Sequence, residues 1–543
     1  MSSSLLQKKN WQKAFAHLKI LSNPSDSELR TMARPDEQTM ESGAPAYYTR
    51  MATVCDEGNT VVAAEEGVTL GRFQTLIDPR LARAIVEHVK SRMPGFEWLS
   101  LDRMLGDNPD ATFRCRLLIP KGNASIACIW SRTLFPAPNP AWNSAADPDF
   151  LTICLPEWPG IEGNQANRLP RQLALTYPET GVTFVLGFDA ADAVRMSFIR
   201  QALHRAKCMG GLGLCAGSKL LRFMQGDGTR DCGILLFGGP SAMKSMLLMD
   251  GHRLAGPECA SVFQKDFVIL SPRGRCFGTE NDFFVPTCGI TLDDQPALYN
   301  ALMSPEAIFE NVARSKGGRP PFDQPGNPGR AVMPRSRIAH TAETVDMGRV
   351  DKIVFLTRGR AITPPLTRPL SAEQAAAFFM LGENAGETTN DPSRVPAIER
   401  MVGFNPAIIG LEDAEGNRFL DLMKAHPSIE TYIFNVGTVG HGADAPGRDP
   451  NGIRITSDIA CRMLEFIARQ EAGSQEGWVQ DRNLNPVPKN IPAIRIWDEL
   501  RPEKHYKPST LRALTLELRT KRARWIEQFH DLNPAIVQSV PGF

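Results

Sequence analysis

The sequence predicts an α/β protein of two domains, the second a nucleotide-binding domain built around a phosphate loop. Three observations lead there. Residues Gly233 to Ser245 read Gly-Ile-Leu-Leu-Phe-Gly-Gly-Pro-Ser-Ala-Met-Lys-Ser, a short apolar strand running into a glycine-started loop that ends in Lys-Ser. Apolar runs of strand length alternate with segments of helical spacing on both sides of it. At 543 residues the chain also exceeds what one ordinary core holds.

Taken in order, the elements divide into an extension over residues 1–58, a first domain over 59–224 and a second over 225–543. Met1 to Leu21 carries Lys8, Lys9, Lys13 and Lys19 among apolar residues. It reads as an amphipathic surface helix rather than a secretory signal, having no unbroken apolar stretch or small-residue cleavage site. Residues 22–58, rich in Ser, Pro, Asp and Glu, read as loop, with the compact part starting near Thr60. Apolar runs Phe113 to Ile119, Ser125 to Trp130, Phe150 to Leu155 and Val182 to Leu186 then alternate with turns, while Leu81 to Met93 and Ala191 to Ala206 have helical spacing. Gly226, Gly228 and Gly233 mark the junction to the second domain. There, Lys352 to Thr357 and Thr431 to Val436 read as buried strands. Ser371 to Gly382, Asp458 to Ala472 and the basic stretch Ser509 to Phe529 read as helices, the last with a solvated basic face that includes Lys521, Arg522 and Arg524. Gly317 to Pro334 holds too many breakers for regular structure and reads as an active-site or disordered loop.

Composition narrows the class of function. Apolar residues make up 42% and the formal net charge is +1, which gives no argument for nucleic acid or an anionic membrane as partner. No window approaches 18 consecutive apolar residues, so no membrane span is predicted. The 11 cysteines are scattered without a Cys-x-x-Cys pair, which fits reduced thiols in the cytoplasm rather than a disulfide framework or structural zinc. Nothing selects between monomer and homo-oligomer.

The loop itself predicts the chemistry. The stretch Gly238, Gly239, Pro240, Ser241, Ala242, Met243, Lys244, Ser245 and Met246 would wrap the phosphates of ATP, its backbone N–H groups, which Pro240 lacks, facing them. Lys244 would reach the β- and γ-phosphates, and the Ser245 hydroxyl would ligate the nucleotide's magnesium. One position departs from the usual pattern: the second glycine is Met243, whose Cβ is a steric cost wherever φ is positive.

These segments, in order, resemble the ATP-dependent phosphoenolpyruvate carboxykinases from about residue 60 to 470. Gly71-Arg72 is similar to the family's Thr-Gly-Arg segment, and Gly106-Asp-Asn-Pro-Asp to its Gly-Ala-Asn-Pro-Asp. Phe237 to Leu247 falls at its phosphate loop, Pro296-Ala-Leu-Tyr-Asn-Ala301 with Glu310-Asn-Val312 resembles the stretch after its kinase aspartates, and Pro328-Gly-Arg330 its Asn-Thr-Arg. Lys352-Ile-Val-Phe-Leu-Thr357 with Pro364-Pro365, Tyr432-Ile-Phe-Asn-Val-Gly437 and Gly452-Ile-Arg-Ile455 resemble later segments. The resemblance implies a two-domain carboxykinase-like α/β fold with a phosphate-loop C-terminal domain. It implies Arg72 holding a substrate carboxylate, Arg330 contacting the transferred phosphoryl group, and Arg454 and Ile455 lining the adenine side.

The departures bear on mechanism. Where the family has Tyr-Gly-Gly-Glu-Met-Lys-Lys this chain has Gly187-Phe-Asp-Ala-Ala-Asp-Ala-Val-Arg195, so its metal-binding lysine becomes Arg195, which cannot act as a neutral ligand. Leu214 stands for its metal-binding His, and Val268 to Gly274 for its metal-binding Asp segment. The family's transition-metal site is therefore predicted to be dismantled, which counts against manganese. Asp266, or Glu280 with Asp282, are candidates to hold magnesium instead. Set against that role is the reading as surface or turn carboxylates, which is the favoured one for all three. His340 and His441 are candidate general bases, each weighed against a structural role. Arg358 and Arg360, past the end of a strand, are weighed between ligand contact and plain surface charge. Three functions follow: a carboxykinase converting oxaloacetate to phosphoenolpyruvate, a kinase of another carboxylate-bearing small molecule, or a nucleotide-binding pseudoenzyme with a regulatory or assembly role.

Overall fold

The computed structural model describes residues 15–49, 60–62, 71, 74–137, 147–160, 171–239, 243–313, 322, 329–358, 361–385, 398–440 and 452–540. Its contacts divide into two compact units. One comprises Met1–Met209, Gly278–Ala339 and Ala407–Leu411, the other Gly210–Phe277, His340–Pro406 and Glu412–Phe543. The sequence reading drew its boundary at residues 224 and 225. Those residues fall at the turn of a long antiparallel hairpin, where Leu212–Gln225 pairs with Gly228–Phe237 from Ala216↔Phe237 to Gln225↔Gly228. The glycines at 226 and 228 thus reverse a strand rather than join two domains.

The first unit holds a mixed sheet whose order among the described strands is Lys19–Ser22, Glu97–Leu105, Phe113–Pro120, Phe150–Leu155, Val182–Leu186, Leu173–Tyr177, Thr60–Val62 and Thr75–Leu76. The helix Pro79–Arg92 forms because Asp78 accepts from the N–H groups of Arg80 and Leu81 and Pro79 fits the first turn. Its buried stripe Ala82, Ile85, Val86 and Val89 packs with Trp98, Ile153, Leu173 and Phe184 from the sheet. A second sheet in this unit runs Phe283–Pro286, Arg330–Met333, Ile308–Glu310, Pro45–Tyr47 and Gln38–Thr39. It sets Glu310 directly opposite Arg330.

Four expectations for this region are corrected, the first being that within Gly317 to Pro334, read as too rich in breakers for regular structure, Arg330–Met333 is a strand paired with Phe283–Pro286 and Ile308–Glu310. Lys19–Ser22 is a strand, parallel to Glu97–Leu105, not the end of a helix. Residues 22–58 are not loop where described: Asp26–Ala33 is a helix closed by a capping box between Ser25 and Glu28, and Pro45–Tyr47 is a buried strand. The apolar run Ser125 to Trp130 lies in a helix, Ala124–Thr133, almost wholly buried and therefore without an amphipathic stripe to reveal it. Residues 1–14 lie outside the description.

The second unit is organised on a sheet whose order includes Phe267–Leu270, Leu212–Gln225, Gly228–Phe237, Lys352–Thr357, Glu430–Asn435 and Leu366–Thr367. Gly228–Phe237, Lys352–Thr357 and Glu430–Asn435 run parallel, and their buried apolar residues make the centre of the core. The expected helices are present as Ala372–Leu381, Ser457–Arg469 and Pro508–Ile526. No described helix is long and apolar enough to cross a membrane.

Candidate active site

In the second unit the strand Gly228–Phe237 ends in Gly238 and Gly239 at the carboxyl edge of three parallel strands, where α/β sheets place ligands. At Gly239 a Cβ would lie 2.8 Å from Asn384 Nδ2, so a side chain there would require Asn384 to move. Pro240, Ser241 and Ala242 lie outside the described residues. Met243 has φ 57° and ψ 6°, the left-handed conformation that glycine would adopt freely. Met243 thus takes the backbone state a glycine would hold there, at a strain of about 1 kcal/mol for its Cβ.

Lys244, Ser245 and Met246 open the helix Lys244–Met249. Lys244 Nζ lies 3.5 Å from Asp266 Oδ1, and Lys265 Nζ donates to the same carboxylate at 2.9 and 3.1 Å. Of the acidic candidates, Asp266 is thus the one beside the phosphate-loop lysine. At the other end of the helix, Lys219 is fully buried and donates to the carbonyls of Leu247 and Asp250 at 2.7 and 2.5 Å, closing carbonyls the helix leaves unpaired. Burial pulls its pKa down to about 7. Arg454 is exposed and pairs across a short ladder with Thr438, while Ile455 is buried and its N–H donates to Gly437 O. His340 has φ 64° and its ring packs against Gly251. Leu214 is buried in its strand, and Arg358 follows the strand Lys352–Thr357.

The first unit carries a separate group of charges. Arg330 lies 3.5 Å from Asp192 and its guanidinium stands 5.8 Å over the Phe284 ring. Arg195 stands 5.2 Å over Phe284, also meets Asp192 at 3.3 Å, and grips Glu280 with two parallel hydrogen bonds of 2.5 and 2.6 Å. Glu280 and Asp282 are buried rather than surface carboxylates. Arg132 and the N–H of Arg335 meet Asp282 at 3.3 and 3.2 Å. Arg72 lies outside the described residues, as do Arg360 and His441.

Two charged residues here escaped sequence reading. Lys219 sits in an apolar strand, a weak signal, and Glu310 entered only within the Glu310-Asn-Val312 resemblance, without a role of its own. Glu310 is buried and accepts from the Ala191 N–H at the start of the helix Ala191–Cys208. Burial pushes its carboxyl up to about 7, with Asp192 adding to the rise and the Ala191 hydrogen bond opposing it. An acid whose folded pKa exceeds its unfolded value holds its proton better when folded. Its stabilisation is complete below the ordinary glutamate value and is lost as pH rises through about 7. Glu310→Gln, which keeps an acceptor for Ala191, is therefore expected to gain roughly 2 to 3 kcal/mol relative to the parent between pH 5 and pH 8. Urea unfolding at the two pH values reads this, and an unchanged difference would refute it.

A phosphoenolpyruvate carboxykinase family model matches residues 7–495. The chain belongs to the ATP-dependent phosphoenolpyruvate carboxykinase family. It is 28% identical over 438 residues to the phosphoenolpyruvate carboxykinase (ATP) of Aeropyrum pernix, spanning 80% of this chain and 81% of that protein. The mixed α/β architecture described above is consistent with a carboxykinase-family fold.

Proposed function

We propose that the protein is an ATP-dependent phosphoryl-transfer enzyme of the carboxykinase type, acting on an anionic carboxylate substrate through an active site without the family's transition-metal ligands. The observation that carries this reading is the phosphate loop: a left-handed turn at Met243 leading into Lys244 and Ser245, with Asp266 beside the lysine. Lys244 is suited to hold the phosphate chain by charge-assisted hydrogen bonds. The Ser245 hydroxyl and Asp266 carboxylate are hard oxygen donors that fit magnesium, which when bound neutralises phosphate charge. Arg330 would orient the transferred phosphoryl group, and Arg72 the substrate carboxylate, their guanidinium forks matching planar oxyanions. Arg454 and Ile455 remain the candidates for the adenine side. Cytoplasmic residence is supported by scattered cysteines without paired spacing.

A second reading, a kinase of a different carboxylate-bearing molecule, is favoured by one observation. Arg195, at the position of the family's metal-binding lysine, is committed to Glu280. An enolate formed at such a site would lack a stabiliser ordinarily worth several kcal/mol of barrier.

Phosphorus NMR of the protein with ATP, magnesium, manganese and oxaloacetate tests the reading, with Lys244→Ala as control. A phosphoenolpyruvate signal that the variant lacks supports the carboxykinase. ATP consumption only with another acid supports the second reading, and ATP binding without turnover of any acid favours a regulatory or assembly role. Lys244→Ala is expected to weaken ATP by about 1.5 to 3 kcal/mol, measured by calorimetry. Unchanged affinity would sink the phosphate-loop assignment.

A further inference from the structure

At the far end of the helix that follows the phosphate loop, three ligand-type side chains converge. Asp250 is the residue after the helix Lys244–Met249, His252 lies two further on, and Cys461 comes from the first half of the helix Ser457–Arg469. One carboxylate oxygen, one ring nitrogen and the Cys461 Sγ all lie within 4.8 Å of one another. The backbone bends sharply to bring them there. His252 and Arg253 both take left-handed φ, 55° and 54°, an uncommon and costly state for residues with a Cβ. The His252 N–H donates to Asp250 Oδ1 at 2.6 Å, which folds the turn back on itself.

The imidazole is what makes this more than a chance cluster. Its side chain is 0% exposed, and Nε2 is buried without a hydrogen-bond partner. Nδ1 instead lies 3.3 Å from Glu465 Oε1, one turn beyond Cys461 on the same helix. Buried polar nitrogens are nearly always satisfied, so an unpartnered one on an imidazole clustered with a thiol and a carboxylate calls for a missing partner. A carboxylate behind one ring nitrogen is also the arrangement that orients a histidine whose other nitrogen binds a metal. Lys219 approaches from the backbone side and donates to the Asp250 carbonyl, leaving the carboxylate to the cluster.

We infer that Asp250, His252 and Cys461 form a binding site for a divalent transition cation of the zinc class, with Glu465 orienting the imidazole. Thiolate, imidazole and carboxylate together suit zinc or cobalt, whereas magnesium and calcium take oxygen donors. Bonds of about 2.0 to 2.3 Å to one ion place ligand atoms under about 4 Å apart, so the cluster needs only a small contraction to close. Asp250 is exposed, which gives the ion a path from solvent and leaves room for a water as fourth ligand. The Cys461 thiol gives its proton to solvent as it binds. The bound ion would fasten the end of the phosphate-loop helix to the helix Ser457–Arg469. It is distinct from the nucleotide's magnesium, for which Ser245 and Asp266 are the proposed donors.

The test uses the full chain, stripped with a chelator and titrated with cobalt(II) in the absence of nucleotide. A near-ultraviolet thiolate-to-cobalt band saturating at about one equivalent, and displaced by zinc, is the expected result. Cys461→Ser should abolish the band. His252→Asn, a residue that tolerates the left-handed backbone, should weaken binding by about 100-fold. Zinc should raise the melting temperature of the parent and of neither variant. Should Cys461→Ser fail to fold, Asp250→Asn at its exposed position replaces it, with an expected loss of at least about 10-fold. No saturating band, or a band that survives Cys461→Ser and so arises at other thiols such as Cys208 or Cys288, would overturn the site.

Discussion

Replacing Arg195 by Met is expected to lower folding stability by about 3 to 5 kcal/mol, because it leaves the buried Glu280 carboxylate without the guanidinium that grips it. The side chains of Arg195 and Glu280 are 6% and 3% exposed, and two parallel hydrogen bonds join them. Neither group can turn to water when the other is removed. The size of the loss is a statement about Glu280 stranded, not about the net worth of the pair. The double variant Arg195→Met, Glu280→Gln should accordingly recover most of it. Arg195→Lys should recover little, since an ammonium cannot reproduce the two-pronged grip or the stacking over Phe284. Chemical unfolding of the parent, Arg195→Met, Glu280→Gln and the double variant measures the coupling, and a loss below about 1 kcal/mol for Arg195→Met would mean the pair is not buried as described. The same experiment bears on mechanism. A residue so firmly committed to a structural tie is poorly placed to serve as a ligand in a reaction, which is the argument for an altered chemistry at this position.

What could be read from the sequence divides along physical lines. Strands such as Phe150–Leu155 and Lys352–Thr357 are short, apolar and bounded by turns, and helices such as Pro79–Arg92 bury one stripe, so periodicity reveals both. The proposed phosphate loop stood out in the sequence because that motif fixes residue types at fixed spacing, with one departure at Met243. Lys19–Ser22 was not legible, since its residues are mostly exposed and its strand character comes from pairing with Glu97–Leu105. The helix Asp26–Ala33 did carry a signal, Ser25 followed three residues later by Glu28, which the polar composition around it obscured. Pairings and burial of charged residues in the candidate site were the hardest to find. Arg195 and Glu280 are 85 positions apart, and Lys219 and Glu310 look like any surface lysine and glutamate until tertiary packing buries them. Burial of a charge is decided by which elements meet, and no local pattern records it.

Arg522 belongs to that last group, and it motivates the other large prediction. Within the basic run Lys521, Arg522 and Arg524 it reads as part of a solvated face, yet its side chain is 1% exposed. Its Nε and Nη2 donate to Glu383 Oε2 at 2.9 and 2.6 Å, while Arg400 donates to Glu383 Oε1 at 3.2 and 2.7 Å. Burial alone would push the Glu383 carboxyl up, but the two guanidiniums outweigh it and hold the group below its ordinary value. Glu383→Gln is therefore expected to cost about 3 to 5 kcal/mol, because the guanidinium of Arg522 would stay buried without the Glu383 charge it is gripped by. Arg522→Met should cost less, about 2 kcal/mol, since Arg400 would still neutralise Glu383. The parent should lose the carboxylate's contribution as pH falls below the ordinary glutamate range, and the Gln variant should not, so the two stability curves converge in acid. Glu383 also starts the strand Glu383–Ala385, and the next residue, Asn384, is the one that fills the space over Gly239 in the phosphate loop. A C-terminal helix far from the loop in sequence thus fixes the backing of the loop through one carboxylate. Glu383→Gln should weaken ATP as well as stability, even with Lys244 and Ser245 intact. Thermal unfolding and calorimetric titration of ATP read both effects. A stability change within about 0.5 kcal/mol, the range of an ordinary surface substitution, would return Arg522 to the solvated face and leave the loop without this support.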